Sequence, residues 1–111
     1  MADDIFKVAV SVPADFMDIL MDAIDEVIDP IYPGYRRSFS ISDVVGTWIP
    51  VEGSDPYIGE IDTITRVEEK RIEFAVRDYD LPQVLHVIDN IHPYEEPAVD
   101  VIPMKAWRSY L

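Results

Sequence analysis

The hydrophobic pattern of the chain runs strand, helix, strand, strand, helix, strand. That order predicts an α+β fold of the ferredoxin-like or split βαβ kind: a βαββαβ sandwich with an antiparallel sheet and two helices on one face. Three observations carry the prediction. Two segments repeat their apolar residues at three- and four-residue spacing, the segments around them alternate with period two, and prolines or glycines stand near most of the boundaries. At 111 residues and 49% hydrophobic content, one domain covering residues 1–111 is expected, large enough to bury roughly two thirds of the surface of its unfolded chain.

The first strand is predicted at residues 5–12, where Phe6, Val8, Val10 and Val12 alternate with Lys7, Ala9 and Ser11. Pro13 can open a helix, and Phe16, Ile19, Leu20, Ala23, Ile24, Val27 and Ile28 then recur at helical spacing. Asp15, Asp18, Asp22, Asp25 and Glu26 supply a solvated acidic face, read as solubility. Pro30, Pro33 and Gly34 end this helix, because proline cannot continue it and glycine permits a turn. A strand is expected from residue 35 to residue 48, with Phe39 and Ile41 alternating with serines and an interruption near Asp43. Residues 50–59 read as a loop, and an extended region follows from 61 to 76, ending in the clear alternation of Ile72, Phe74 and Val76 with Arg71, Glu73, Ala75 and Arg77. The Glu68-Glu69-Lys70-Arg71 cluster is read as a bend or an exposed edge.

Asp80 is the expected N-cap of a second helix, with Pro82 in its first turn and Val84, Leu85, Ile88 and Ile91 on its apolar face. It stops at His92-Pro93, and residues 98–104 supply the last strand. Helices on one face only leave the other face of the sheet to find cover. With Phe39, Trp48, Ile61 and Ile64 assigned to strands, that cover is expected from another subunit. Trp107, Tyr110 and Leu111 stand at helical spacing in the tail, which is read as a terminal turn docked on its own or a neighbouring subunit, with a frayed end as the alternative.

Charge and composition narrow the function. With 9 Lys and Arg against 22 Asp and Glu, a formal charge of −13, nucleic acid and anionic membrane surfaces are poor partners, since both bind through released counterions against cationic side chains. The absence of cysteine removes disulfides, thiolate nucleophiles, Cys-ligated zinc and iron–sulfur clusters. No apolar run approaches membrane-spanning length and the segment Met1-Ala2-Asp3-Asp4 has no signal-peptide pattern, so a cytoplasmic location is expected.

Two stretches hold the chemistry. The turn His92-Pro93-Tyr94-Glu95-Glu96-Pro97 is stiffened by its prolines and gathers an imidazole, a phenol and two carboxylates. His92, Glu95 and Glu96 are the candidate ligands for a divalent metal, a set that needs a further ligand to close. The structural reading has His92 capping the helix before it and Glu95 or Glu96 accepting backbone or Arg hydrogen bonds. His86 falls on the polar side of its helix. The loop Gly53-Ser54-Asp55-Pro56-Tyr57 could offer backbone N–H groups to a ligand. It lacks the spacing and lysine of a phosphate-binding loop, and Glu52 and Asp55 oppose anions. The candidate ligand-binding residues are therefore His92, Tyr94, Glu95, Glu96, Gly53, Ser54 and Tyr57.

The runs Gly46-Thr47-Trp48-Ile49-Pro50, Glu52-Gly53-Ser54-Asp55-Pro56-Tyr57-Ile58-Gly59, Arg71-Ile72-Glu73 and His92-Pro93-Tyr94-Glu95-Glu96-Pro97-Ala98 resemble the inserted domain of the Nif-three-like dinuclear-metal-centre proteins, also found alone as YqfO-like proteins. The resemblance covers residues 46–103 well and the first strand loosely. It implies a CutA- and PII-like fold that commonly forms trimers. The chain departs from the family in the turn after the first helix, where a glycine-rich stretch leading to a tyrosine is expected and Glu26-Val27-Ile28-Asp29-Pro30-Ile31-Tyr32-Pro33-Gly34-Tyr35 has Pro in place of Gly. The family's metal ligands lie in flanking domains, so no dinuclear site is carried over. The expected function is a non-catalytic, homo-oligomeric binding or regulatory module, a trimer by preference, for a small-molecule or protein partner. The alternative is a small metal-dependent, hydrolase-like enzyme using His92 with Glu95, Glu96 or Glu73.

Overall fold

The computed structural model describes residues 4–111; the Met1-Ala2-Asp3 part of the N-terminal reading lies outside the described residues. Six elements follow the expected order: β1 (Ile5–Val12), α1 (Ala14–Val27), β2 (Ser40–Trp48), β3 (Thr65–Arg77), α2 (Leu81–Ile91) and β4 (Val99–Met104), with a 3₁₀ turn at Trp107–Tyr110. The strands form one antiparallel sheet in the order β2-β3-β1-β4. Among the described residues no helix is long and apolar enough to cross a membrane.

The register separates the two faces. Val8 pairs with Phe74 and Val10 with Ile72, and these residues meet Leu20, Met21 and Ile24 of α1 and Val84 and Ile88 of α2 in one core. Fully burying side chains of this kind contributes about 1.5–3 kcal/mol each. The stripe of α1 is centred on Leu20 and Ile24, so Ile19, about 100° round the helix from Leu20, is 57% exposed instead of sharing the apolar face.

Several boundaries differ from expectation for physical reasons. β2 starts at Ser40 and runs unbroken through Asp43, whose carboxylate pairs with Lys70 across the ladder, so the expected interruption is absent. The 68–71 cluster is not a bend, since β3 runs through it. Lys70 and Arg71 pair with β2 on one side and β1 on the other, while Glu68 and Glu69 lie beyond the end of the β1 ladder and pair with β2 alone, so the expected edge is present at those two residues. Asp80 occupies the N-cap position of α2 in a helical conformation, and its side chain does not cap that helix. Its Oδ2 accepts the backbone N–H of Asp29 at 2.9 Å and so ties the turn after α1 to the start of α2.

The uncovered face also differs from expectation. Phe39 packs edge-on against Phe74 on the core side, and Ile61 and Ile64 lie in the connection before β3. Of the four residues assigned to that face, Trp48 remains. The centre of the face is polar, with Arg71 near Glu73 at 3.7 Å and Asp100 at 3.6 Å. The 3₁₀ turn of the tail is solvent-exposed at Trp107 and Tyr110.

Candidate functional site

β2 and β3 outrun the rest of the sheet. The β1 ladder ends at Val12 opposite Lys70, while β2 and β3 stay paired as far as Trp48 opposite Thr65. The surplus makes a two-stranded arm that gives the molecule extents of 51 × 23 × 23 Å. The 92–98 turn crosses beside the base of this arm, and between them lies a groove of about 630 Å³. Its walls include Val44, Trp48, Tyr57 and Tyr94, with Glu95 and Glu96 beside them.

His92 anchors the turn. Its backbone N–H closes the last turn of α2 on the Ile88 carbonyl at 2.9 Å. Its ring is buried, with Nε2 2.7 Å from the Ser11 carbonyl and Nδ1 accepting the Tyr94 backbone N–H at 3.1 Å. A carbonyl can only accept and an amide N–H can only donate, so these partners assign the neutral tautomer protonated on Nε2. Burial holds the imidazole below its ordinary pKa, opposed by the Ser11 hydrogen bond and by Glu69.

Tyr94 forms the floor of the groove. Its hydroxyl donates to Oε2 of Glu69 at 2.6 Å, and its ring meets Trp48, Tyr57 and His92 at centroid distances of 5.3, 6.1 and 4.8 Å. Burial, then the bond to Glu69, pushes the phenol well above its ordinary pKa. Glu69 lies where β3 is paired with β2 alone, yet is 6% exposed. Gly46 explains how it fits: a Cβ at position 46 would stand 2.2 Å from Glu69 Oε1. A strand glycine here lets a carboxylate lie against the backbone.

The second candidate stretch arrives from the arm. Gly53 adopts φ +97°, which completes a turn in which the Ser54 backbone N–H and hydroxyl both donate to the Val51 carbonyl, at 3.1 and 2.7 Å. The next N–H, of Asp55, donates to Glu95 Oε2 at 3.0 Å. Trp48 donates its indole N–H to the Ile58 carbonyl at 3.3 Å, and Tyr57 stands edge-on to Phe16 at 6.1 Å. The Gly53-Ser54-Tyr57 loop and the 92–96 turn, far apart in sequence, thus meet at one groove.

Tyr57, Tyr94, Glu95, Glu96 and Ser54 all line that groove. His92 stands behind it as a support, and Gly53 shapes the turn. The proposed metal set of His92, Glu95 and Glu96 is not assembled: both His92 nitrogens are engaged by backbone groups, and Glu95 already receives the Asp55 N–H. Among the described residues no group of three or more His, Asp or Glu side chains is placed to hold a metal ion. Sequence reasoning missed Trp48, Gly46 and Glu69 as parts of the site. The signal for the last two was present, since an isolated glycine inside a strand pattern marks a close approach.

No family model matches the chain. It is 31% identical over 105 residues to a Staphylococcus epidermidis protein named GTP cyclohydrolase 1 type 2 homolog, an alignment covering 95% of this chain and 29% of that protein. A Staphylococcus aureus protein of the same name is 32% identical over 108 residues, covering 97% and 30%. The chain therefore spans about 30% of the length of these curated relatives. The structure of a Bacillus cereus protein related to NIF3 superposes with a TM-score of 0.82 at 29% identity, over 96% of this chain and 27% of that one. CutA1 from Ehrlichia chaffeensis superposes at 0.67 with 16% identity, over 96% and 86% of the two chains, a likeness of fold. GlnK from B. subtilis does so at 0.63 with 16% identity, over 92% and 86%. By sequence and by structure, then, the chain is similar to one part of the NIF3-related proteins and has the ferredoxin-like fold seen in CutA1 and GlnK.

Proposed function

We propose that this domain is a non-catalytic, homo-oligomeric binding or regulatory module whose recognition surface is the groove at the base of the β2–β3 arm. The observation that carries the reading is a groove walled by aromatic rings, most of whose polar neighbours already have partners within the chain. Tyr94 is bonded to Glu69, Glu95 to the Asp55 N–H, Arg71 lies near Glu73 and Asp100, and the buried His92 ring is bonded on both sides. Groups committed in this way favour recognition over proton transfer, which needs a base within reach of the substrate. Large apolar side chains exposed along the arm, including Val45, Val51 and Ile64, support assembly. A trimer is the stoichiometry that the resemblance to CutA and PII proteins implies, and the acidic, cysteine-free sequence supports a cytoplasmic location.

Light scattering on the full chain at micromolar concentration tests the assembly. An oligomer is expected, and a clean monomer mass overturns it. Hydrolysis of p-nitrophenyl acetate and p-nitrophenyl phosphate, with and without Zn²⁺, tests the rest. Turnover at the buffer rate is expected; turnover lost in His92→Ala would restore the enzyme reading.

A further inference from the structure

The groove and the tail of the chain complement each other. Residues 105–111 expose Trp107 at 57%, Tyr110 at 67% and Leu111 at 86%. They contain Lys105 and Arg108 with no acidic side chain, in a chain of net charge −13. Arg108 lies over the Trp107 ring at 4.5 Å and Lys105 near the Tyr110 ring at 5.8 Å, so cations and aromatics form one compact unit. The groove is the counterpart. Its charged lining is Glu69, Glu95 and Glu96 against Arg71 alone, and its walls present Trp48, Tyr57 and Tyr94. A volume of about 630 Å³ suits a pair of aromatic side chains.

The topology keeps a tail away from its own groove. β4 runs antiparallel to β1, so Met104 pairs with Ile5 while the groove begins at Ser11. Six residues of strand separate those points, or ~20 Å. The chain leaves β4 heading away from the groove, and its 3₁₀ turn shortens it further. Seven residues fully extended reach at most ~25 Å, so the tail would have to unwind and double back along the whole sheet.

We propose that residues 105–111 of one copy dock in the groove of a second copy. Trp107 and Tyr110 stack among Trp48, Tyr57 and Tyr94, and Lys105 and Arg108 face Glu95 and Glu96. The groove is then completed by a neighbouring subunit, and any other ligand of the groove competes with that tail. The inference rests on the homo-oligomeric reading above and names the segment that joins the copies.

The absence of native cysteine makes the test clean. A full-length Val51→Cys/Ser109→Cys variant joins the exposed groove rim to the tail, and Asp18→Cys/Ser109→Cys joins the tail to an exposed position on α1. Each is treated with a short bis-maleimide at micromolar concentration, resolved on a denaturing gel and, before treatment, weighed by light scattering. The expected result is a ladder of covalent oligomers from the Val51 pair, at least fivefold above the Asp18 pair and reduced in 1 M NaCl. An oligomeric mass with no ladder, with an intramolecular link only, or with equal ladders from both pairs overturns the tail inference and leaves assembly standing. A monomeric mass overturns both.

Discussion

Replacing Tyr94 with phenylalanine tests the groove floor most directly, because it keeps the ring stacked on Trp48 and removes a single hydroxyl. That hydroxyl donates to Glu69 at 2.6 Å, and Glu69 is 6% exposed, with Gly46 beneath one carboxylate oxygen. Hydrogen bonds to charged groups are worth about 1.5–3 kcal/mol, and the loss is compounded when the acceptor stays buried without a partner. Tyr94 is partly accessible from the groove, so water can replace some of the bond; the lower end, about 1.5 kcal/mol, is expected. With urea m-values of about 1–3 kcal/mol/M, the midpoint should fall by about 0.5–1.5 M. Trp48 fluorescence reports the transition beside the substitution, with protomer concentration held constant because assembly shifts apparent stability. A cycle with Glu69→Gln should return a coupling of about 1 kcal/mol. A loss below about 0.5 kcal/mol with no coupling would refute the reasoning: Glu69 would then be hydrated, and ring packing alone would hold the floor.

Three further predictions follow from the same geometry. Because the folded state holds His92 below its ordinary value of 6.5, the unfolded chain binds more protons between the two values. Its contribution to stability is therefore present above about pH 6.5 and lost as pH falls through the folded value. Urea midpoints from pH 7.5 down to pH 5 should show a fall that flattens in His92→Gln; an identical profile in the variant would sink the assignment, as would ¹⁵N shifts showing His92 protonated on Nδ1. Gly46→Ala pushes a methyl toward the Glu69 carboxylate and should cost about 1–3 kcal/mol in thermal or urea unfolding, whereas an unchanged midpoint would mean that Glu69 moves freely. Asp80→Ala leaves the Asp29 N–H without its acceptor and should cost about 1–2 kcal/mol, checked together with faster amide exchange at Asp29. Unaltered exchange there would show that the Asp80 clamp holds nothing.

The sequence by itself determined the order of elements, the two amphipathic helices and the alternation that places Val8, Val10, Ile72 and Phe74 on one side of the sheet, because each of these is a periodicity readable within a dozen neighbouring residues. It also marked His92 through Pro97 as stiff, since proline acts on its own φ and on the residue before it. Tertiary structure decided what those residues do. Whether Glu69 is a surface charge or a buried acceptor depends on Tyr94, 25 residues away, and the proton position on His92 depends on Ser11, 81 residues away. The β1 ladder ends within the 68–71 cluster, which puts Lys70 and Arg71 between two strands and leaves Glu68 and Glu69 on the arm. The unequal lengths of the β1 and β2 ladders created the arm, and with it the groove. The reason is physical: local pattern sets which face of an element is apolar, while a polar side chain's role is set by the partner that replaces its water, and that partner is chosen only when distant segments meet.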